Sequence, residues 1–127
     1  MGFMSTGNRN QEIQSKKSSG LNHWLQQKLT ALFLLPITVW FILSFPGFMS
    51  LSYQDKFNWV YNKPNCYLLA FFFIVSSYHM KLGLTVVIED YIHNDNLKKI
   101  LSIFIFVIVL GIILLTLLLC IGKNLGV

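Results

Sequence analysis

The chain has 127 residues, of which 54% are hydrophobic and 12% charged, with a net charge of +5. Soluble domains carry roughly a quarter charged residues, so this composition argues against a soluble enzyme or a solvent-facing binding module, and the length fits a single domain. The basic residues are not gathered into a patch interleaved with aromatics, and no nucleic-acid partner is expected.

In chain order, residues 1–20 are polar and rich in Ser, Asn and Gly. They are expected to form a disordered tail. The tail lacks the short apolar core and small-residue cleavage site of a secretory signal, and it is a poor mitochondrial transit peptide. Residues 21–127 form the membrane domain, with apolar runs at about 29–49, 67–88 and 100–121. Each run is long enough for a helix to cross ~30 Å of hydrocarbon. Only helices and closed barrels span lipid, so three unbroken runs predict an all-α membrane protein with three transmembrane helices. Pro36 and Pro46 fall inside the first run, which bilayer helices tolerate when neighbours satisfy the freed carbonyls. Trp24 and Trp59 sit near run ends, as interfacial rings do, whereas Trp40 lies well inside. Cys66 and Cys120 show no metal-site spacing and are read as ordinary small hydrophobes.

Orientation follows from the basic residues. Arg9, Lys16, Lys17, Lys28, Lys98 and Lys99 fall on one side of a three-span topology, and Lys56, Lys63 and Lys123 on the other. The excess places the N-terminus inside, in the cytoplasm.

The second run contains residues that lipid disfavours. His79 is close to its centre, and Gly83, Val86 and Asp90 follow on the same helical face. His79 and Asp90 are separated by about 16 Å of rise. Ionisable groups at such positions are costly and point to function. A neutral imidazole in a helix bundle is a normal axial ligand of haem iron. Gly83, one turn away, leaves room for a bulky flat partner. No second histidine lies deep in a span, so a second axial ligand has to come from another subunit. Equally open on the residues alone is a histidine that only hydrogen-bonds to a neighbouring helix. Asp90 and Tyr91 fit either an ordinary helix end or hydrogen-bonding partners for a quinone carbonyl at the membrane surface, where quinone reduction takes up protons. Lys81 sits deep and points away from the His79 face, with no assigned partner. At the entry to the first run, "HWLQQKLTAL" places Gln26, Gln27, Lys28 and Thr30 at the inner interface, on the same side as Asp90. Lys28 there fits a lipid phosphate or the carboxylates of a haem edge.

Two motifs then carry a family resemblance. His79-x-x-x-Gly83-x-x-x-x-x-x-Asp90-Tyr91, within "YHMKLGLTVVIEDYIH", and "HWLQQKLTALFLLPITVW" resemble the hydrophobic membrane anchor subunits of succinate dehydrogenase, the D chain of respiratory complex II. The resemblance runs from about residue 20 to the end. It implies a heteromeric helix bundle with a second hydrophobic cytochrome b anchor subunit, docked to a flavoprotein subunit and an iron–sulfur subunit. His79 would be an axial ligand of a haem b shared with the companion anchor. Tyr91 would hydrogen-bond ubiquinone, with Asp90 supporting that site. Lys28 stands where the family commonly has Arg near a haem propionate, and Lys keeps the charge but not the bidentate contact. The chain lacks a Rossmann fingerprint and a cluster-binding cysteine set, so as a subunit of the oxidoreductase it is not catalytic alone. The implied function is electron transfer from succinate to ubiquinone, in the tricarboxylic acid cycle and the respiratory chain. The implied location is a bacterial inner membrane, with a mitochondrial one also open. The rival readings are a non-redox three-span adaptor, a fumarate reductase anchor, and a small cytochrome b subunit of another oxidoreductase.

Overall fold

The computed structural model describes residues 6–124. Four helices follow one another: α1 (Thr6–Ser50), α2 (Tyr53–Tyr61), α3 (Lys63–Tyr91) and α4 (Asp95–Asn124). The three long ones contain the apolar spans Gly20–Ser50, Lys63–Tyr91 and Asp95–Gly122. The spans thus exceed the apolar runs at both ends. A helix of 31 residues rises about 46 Å, more than the ~30 Å of hydrocarbon that a span has to cross.

Two differences from the sequence expectation concern α1 and α2. The helix of α1 begins at Thr6, so most of the polar segment 1–20 is helical and continuous with the first span rather than disordered; residues 1–5 lie outside the described residues. Its Gln, Glu and Lys are good helix formers and need no apolar face to extend an existing helix. The short α2 was not expected, because its residues "YQDKFNWVY" are too polar for a span. Ser52 caps it: its hydroxyl accepts from the Asp55 amide and donates to the Asp55 carboxylate at 2.6 Å. Trp59 of α2 stacks on Trp40 of α1, with ring centroids 6.1 Å apart. Trp40, out of place as an interfacial ring by its position in the run, is therefore a platform for α2.

Antiparallel packing sets the rest. Pro64 opens α3 in its first turn, where a missing amide proton costs nothing. Between α3 and α4 only residues 92–94 intervene, and the Asn94 side chain accepts from the amides of Asn96 and Leu97 to start α4. Ile88, Ile105 and Val109 form the buried cluster between these helices. Aromatic pairs join α1 to α3, with Phe41 stacked on Phe72 at 4.8 Å and Phe33 edge-on to Phe71 at 6.3 Å. Three hydroxyls in the spans are satisfied by their own helices: Ser77 donates to the Ile74 carbonyl, Thr85 to that of Lys81 and Thr116 to that of Ile112.

Cys66 and Cys120 form a disulfide between α3 and α4. This corrects the reading of both as unpaired small hydrophobes. Antiparallel helices joined by a tight turn bring the start of one beside the end of the other, and here each carries a cysteine.

Candidate functional site

The middle span holds the candidate residues. His79 lies two residues from the midpoint of α3, so its central depth is as expected. It is half-buried against α1. Its Nδ1 is 2.8 Å from the Thr30 hydroxyl oxygen. Thr30 Oγ1 is also 2.9 Å from the Gln26 carbonyl oxygen and 3.1 Å from that of Gln27. Beside them the Tyr78 hydroxyl donates to Gln26 Oε1 at 3.3 Å. Nε2 of His79 has no hydrogen-bond partner among the described residues.

This small polar seam corrects the expected placement of "HWLQQKLTAL". Thr30, expected at the inner interface, is instead level with His79, with Asp90 eleven residues, or about 16 Å of rise, further along α3. The reason is the length of the helix: α1 runs unbroken from Thr6 to Ser50, so the polar residues that seemed to mark its beginning lie inside it. Lys28 is exposed on the chain's surface, two residues from Thr30, with Nζ 5.8 Å from the Trp24 ring centroid. A Cβ added at Gly83 would meet nothing within 4 Å, so the surface one turn from His79 is open.

Asp90 and Tyr91 end α3 as expected, but none of the described residues holds their side chains. Tyr91 is 76% exposed and Asp90 is exposed, and neither has a hydrogen bond or ion pair among the described residues. The Lys98 ammonium reaches the Glu89 carbonyl at 3.4 Å instead. His93, in the turn, is exposed. Two open grooves, of about 560 and 380 Å3, lie near the α2 end of the bundle and by the disulfide; neither is lined by His79, Asp90 or Tyr91. The site is thus a set of outward-facing groups spread along one helix rather than an enclosed pocket. Among the described residues no cluster of three or more His, Cys, Asp or Glu forms a metal site.

Sequence reasoning missed Thr30 as a partner of His79. Its polar neighbours masked the start of the span. The signal available was the cost of a lone polar side chain in lipid, which asks for a second one at the same depth.

The fold and these positions define a multi-pass α-helical membrane protein with an imidazole at mid-depth of its middle span. Residues 6–118 match the model of the succinate dehydrogenase/fumarate reductase transmembrane subunit family, and the chain belongs to that family. Named relatives agree. The succinate dehydrogenase hydrophobic membrane anchor subunit of Rickettsia typhi is 37% identical over 101 residues, covering 73% of this chain and 78% of the relative. That of Rickettsia prowazekii is 36% identical over 101 residues with the same coverage. The succinate dehydrogenase membrane anchor subunit of Reclinomonas americana is 28% identical over 93 residues, covering 71% and 77%. No solved structure matches the chain significantly.

Proposed function

We propose that this chain is a membrane anchor of a succinate:ubiquinone oxidoreductase, supplying one axial ligand to a shared haem b and part of the quinone-reduction site. The observation that carries the haem part is His79: a half-buried imidazole at mid-membrane with Nδ1 engaged by Thr30, Nε2 unpartnered, and open surface at Gly83 one turn away. That donor set would hold a haem iron through Nε2 from outside the chain. Imidazole nitrogen is a normal haem ligand, and its second nitrogen is usually tied to an outer partner. When bound, haem supplies a one-electron store between the partner subunits and the quinone. Lys28, exposed and two residues from Thr30, would meet a propionate as a point charge.

Tyr91 and Asp90 act at the membrane surface. A phenol donates to a quinone carbonyl, and a hydrated carboxylate beside it passes protons from water. Their exposure means that the companion anchor and the iron–sulfur subunit would complete the pocket. Apart from a few buried residues, the spans present large apolar side chains outward, Leu43 at 75% and Leu118 at 69% among them. Those faces fit lipid and a companion subunit. A flavoprotein subunit, an iron–sulfur subunit and a second cytochrome b anchor are the partners of this reading.

The membrane is read as a bacterial inner membrane, with the N-terminus cytoplasmic. Supporting it, the disulfide joins the ends of α3 and α4 that this orientation places outside, where disulfides persist.

The test is purification in mild detergent, with mass spectrometry of the co-purifying chains and a reduced-minus-oxidised spectrum. The expected result is the three partners and a b-type band that His79→Ala removes. A stable preparation with neither partners nor band sinks the redox reading and leaves a three-span adaptor.

A further inference from the structure

We propose that Thr30 is a positioning residue for His79: its hydroxyl fixes the imidazole in the tautomer protonated at Nδ1 and so leaves Nε2 as the iron-binding nitrogen. The inference rests on the haem reading above and deepens it.

The argument is a count of protons and lone pairs. A threonine hydroxyl has one proton and two acceptor lone pairs. Thr30 Oγ1 has three neighbours within hydrogen-bond distance: the carbonyl oxygens of Gln26 at 2.9 Å and Gln27 at 3.1 Å, and His79 Nδ1 at 2.8 Å. Carbonyl oxygens only accept, whereas Nδ1 can donate, so all three contacts are met together only when the hydroxyl proton goes to the preceding turn of α1, the usual back-bond of a helical threonine. What remains for His79 is a lone pair, and Nδ1 has to be the donor. In a neutral imidazole the other nitrogen then carries the free pair. The opposite arrangement, with Thr30 donating to Nδ1, would strip the back-bond and put the proton on Nε2, closing that nitrogen to a metal.

Among the described residues no other group competes. The nearby Tyr78 hydroxyl is directed to Gln26 Oε1. Thr30 is itself half-buried and β-branched, so its rotamer is restricted and the acceptor is held in place. The contact also crosses between α1 and α3, so the ring orientation depends on how these helices pack. An acceptor on Nδ1–H makes the imidazole a stronger electron donor to iron. That favours the oxidised metal and lowers the haem potential.

The experiment uses the whole complex carrying Thr30→Val, Thr30→Ala or Thr30→Ser, with haem content and a spectroscopic redox titration as readouts. The expected result is a raised haem midpoint potential and weaker haem retention in T30V and T30A, with T30S close to the parent. Parent-like potentials in both T30V and T30A overturn the proposal. So does a shift in T30S as large as that in T30V. If neither variant lacking the hydroxyl assembles, the bond is a packing contact and the positioning role falls. A parent complex that assembles without haem overturns the haem reading itself, an outcome distinct from the others.

Discussion

The Lys81 ammonium lies 5.3 Å from the centroid of the Phe106 ring, on the side of α3 turned to α4. This supplies the partner missing from the sequence for a charge deep in the second span. Two residues beyond His79, Lys81 faces nearly the opposite way, so the imidazole and the ammonium occupy separate seams. Phe106→Leu should destabilise the assembled complex by about 0.5–2 kcal/mol, the range for a partly desolvated cation on a ring. Lys81→Met should be neutral or stabilising, because the charge goes along with its cost. Thermal unfolding in detergent compares them; a K81M complex weaker than F106L would mean that Lys81 has a further partner in another subunit.

Tyr91 separates function from folding. It is 76% exposed and makes no hydrogen bond among the described residues, so Tyr91→Phe should assemble normally. Losing one hydrogen bond to a developing charge costs about 1.5–3 kcal/mol, so quinone reduction should slow by about ten- to a hundredfold. Succinate oxidation measured with a soluble electron acceptor should not change. Parent-like quinone kinetics would remove Tyr91 from the site.

The Cys66–Cys120 bond closes a loop with a sequence separation of 54. Chain-entropy arguments give about 4 kcal/mol for such a loop in a fully unfolded chain. Spans that stay helical in lipid have less freedom to lose, so Cys120→Ser should cost less, lowering the unfolding temperature without touching haem or quinone kinetics. Thiol labelling by a membrane-impermeant reagent should appear only after reduction, and from the outer side of sealed vesicles. Labelling without reductant would show that the thiols are free.

Trp59 anchors α2 through Trp40 and Phe48, the latter with ring centroids at 5.1 Å. Trp59→Leu keeps apolar bulk but loses the ring geometry, worth about 0.5–1.5 kcal/mol per aromatic pair. The expected outcome is faster proteolysis of residues 51–62 with the three spans intact. An unchanged cleavage rate would show that the Asn65 side-chain bond to the Trp59 carbonyl, at 2.9 Å, suffices to hold α2.

The three spans were legible because lipid makes their demand uniform: an apolar run of sufficient length has one solution. His79 stood out for the same reason, as an exception to that demand. The boundaries of α1 were not legible, since Gln26, Lys28 and Thr30 interrupt the apolar run although the helix crosses them. Gln26 and Thr30 find partners in Tyr78 and His79, from a distant part of the sequence, and Thr30 also in its own helix's carbonyls. The helix α2 was missed because it is amphipathic and short, and its stability comes from Trp40 rather than from its own composition. The cysteine pairing left a trace that went unread: Cys66 and Cys120 are equidistant along the chain from His93 in the turn. In an antiparallel hairpin, equal arms bring equal positions together.

That pairing makes residues 66–120 a covalent ring, pinned at one end by sulfur and at the other by the turn at residues 92–94. Within the ring, α3 and α4 cannot slide past each other. The first helix is outside it, held to α3 by stacked rings and by the Thr30–His79 bond. Any adjustment in the bundle therefore falls on the α1–α3 seam. The histidine stands where a rigid frame meets its one movable post.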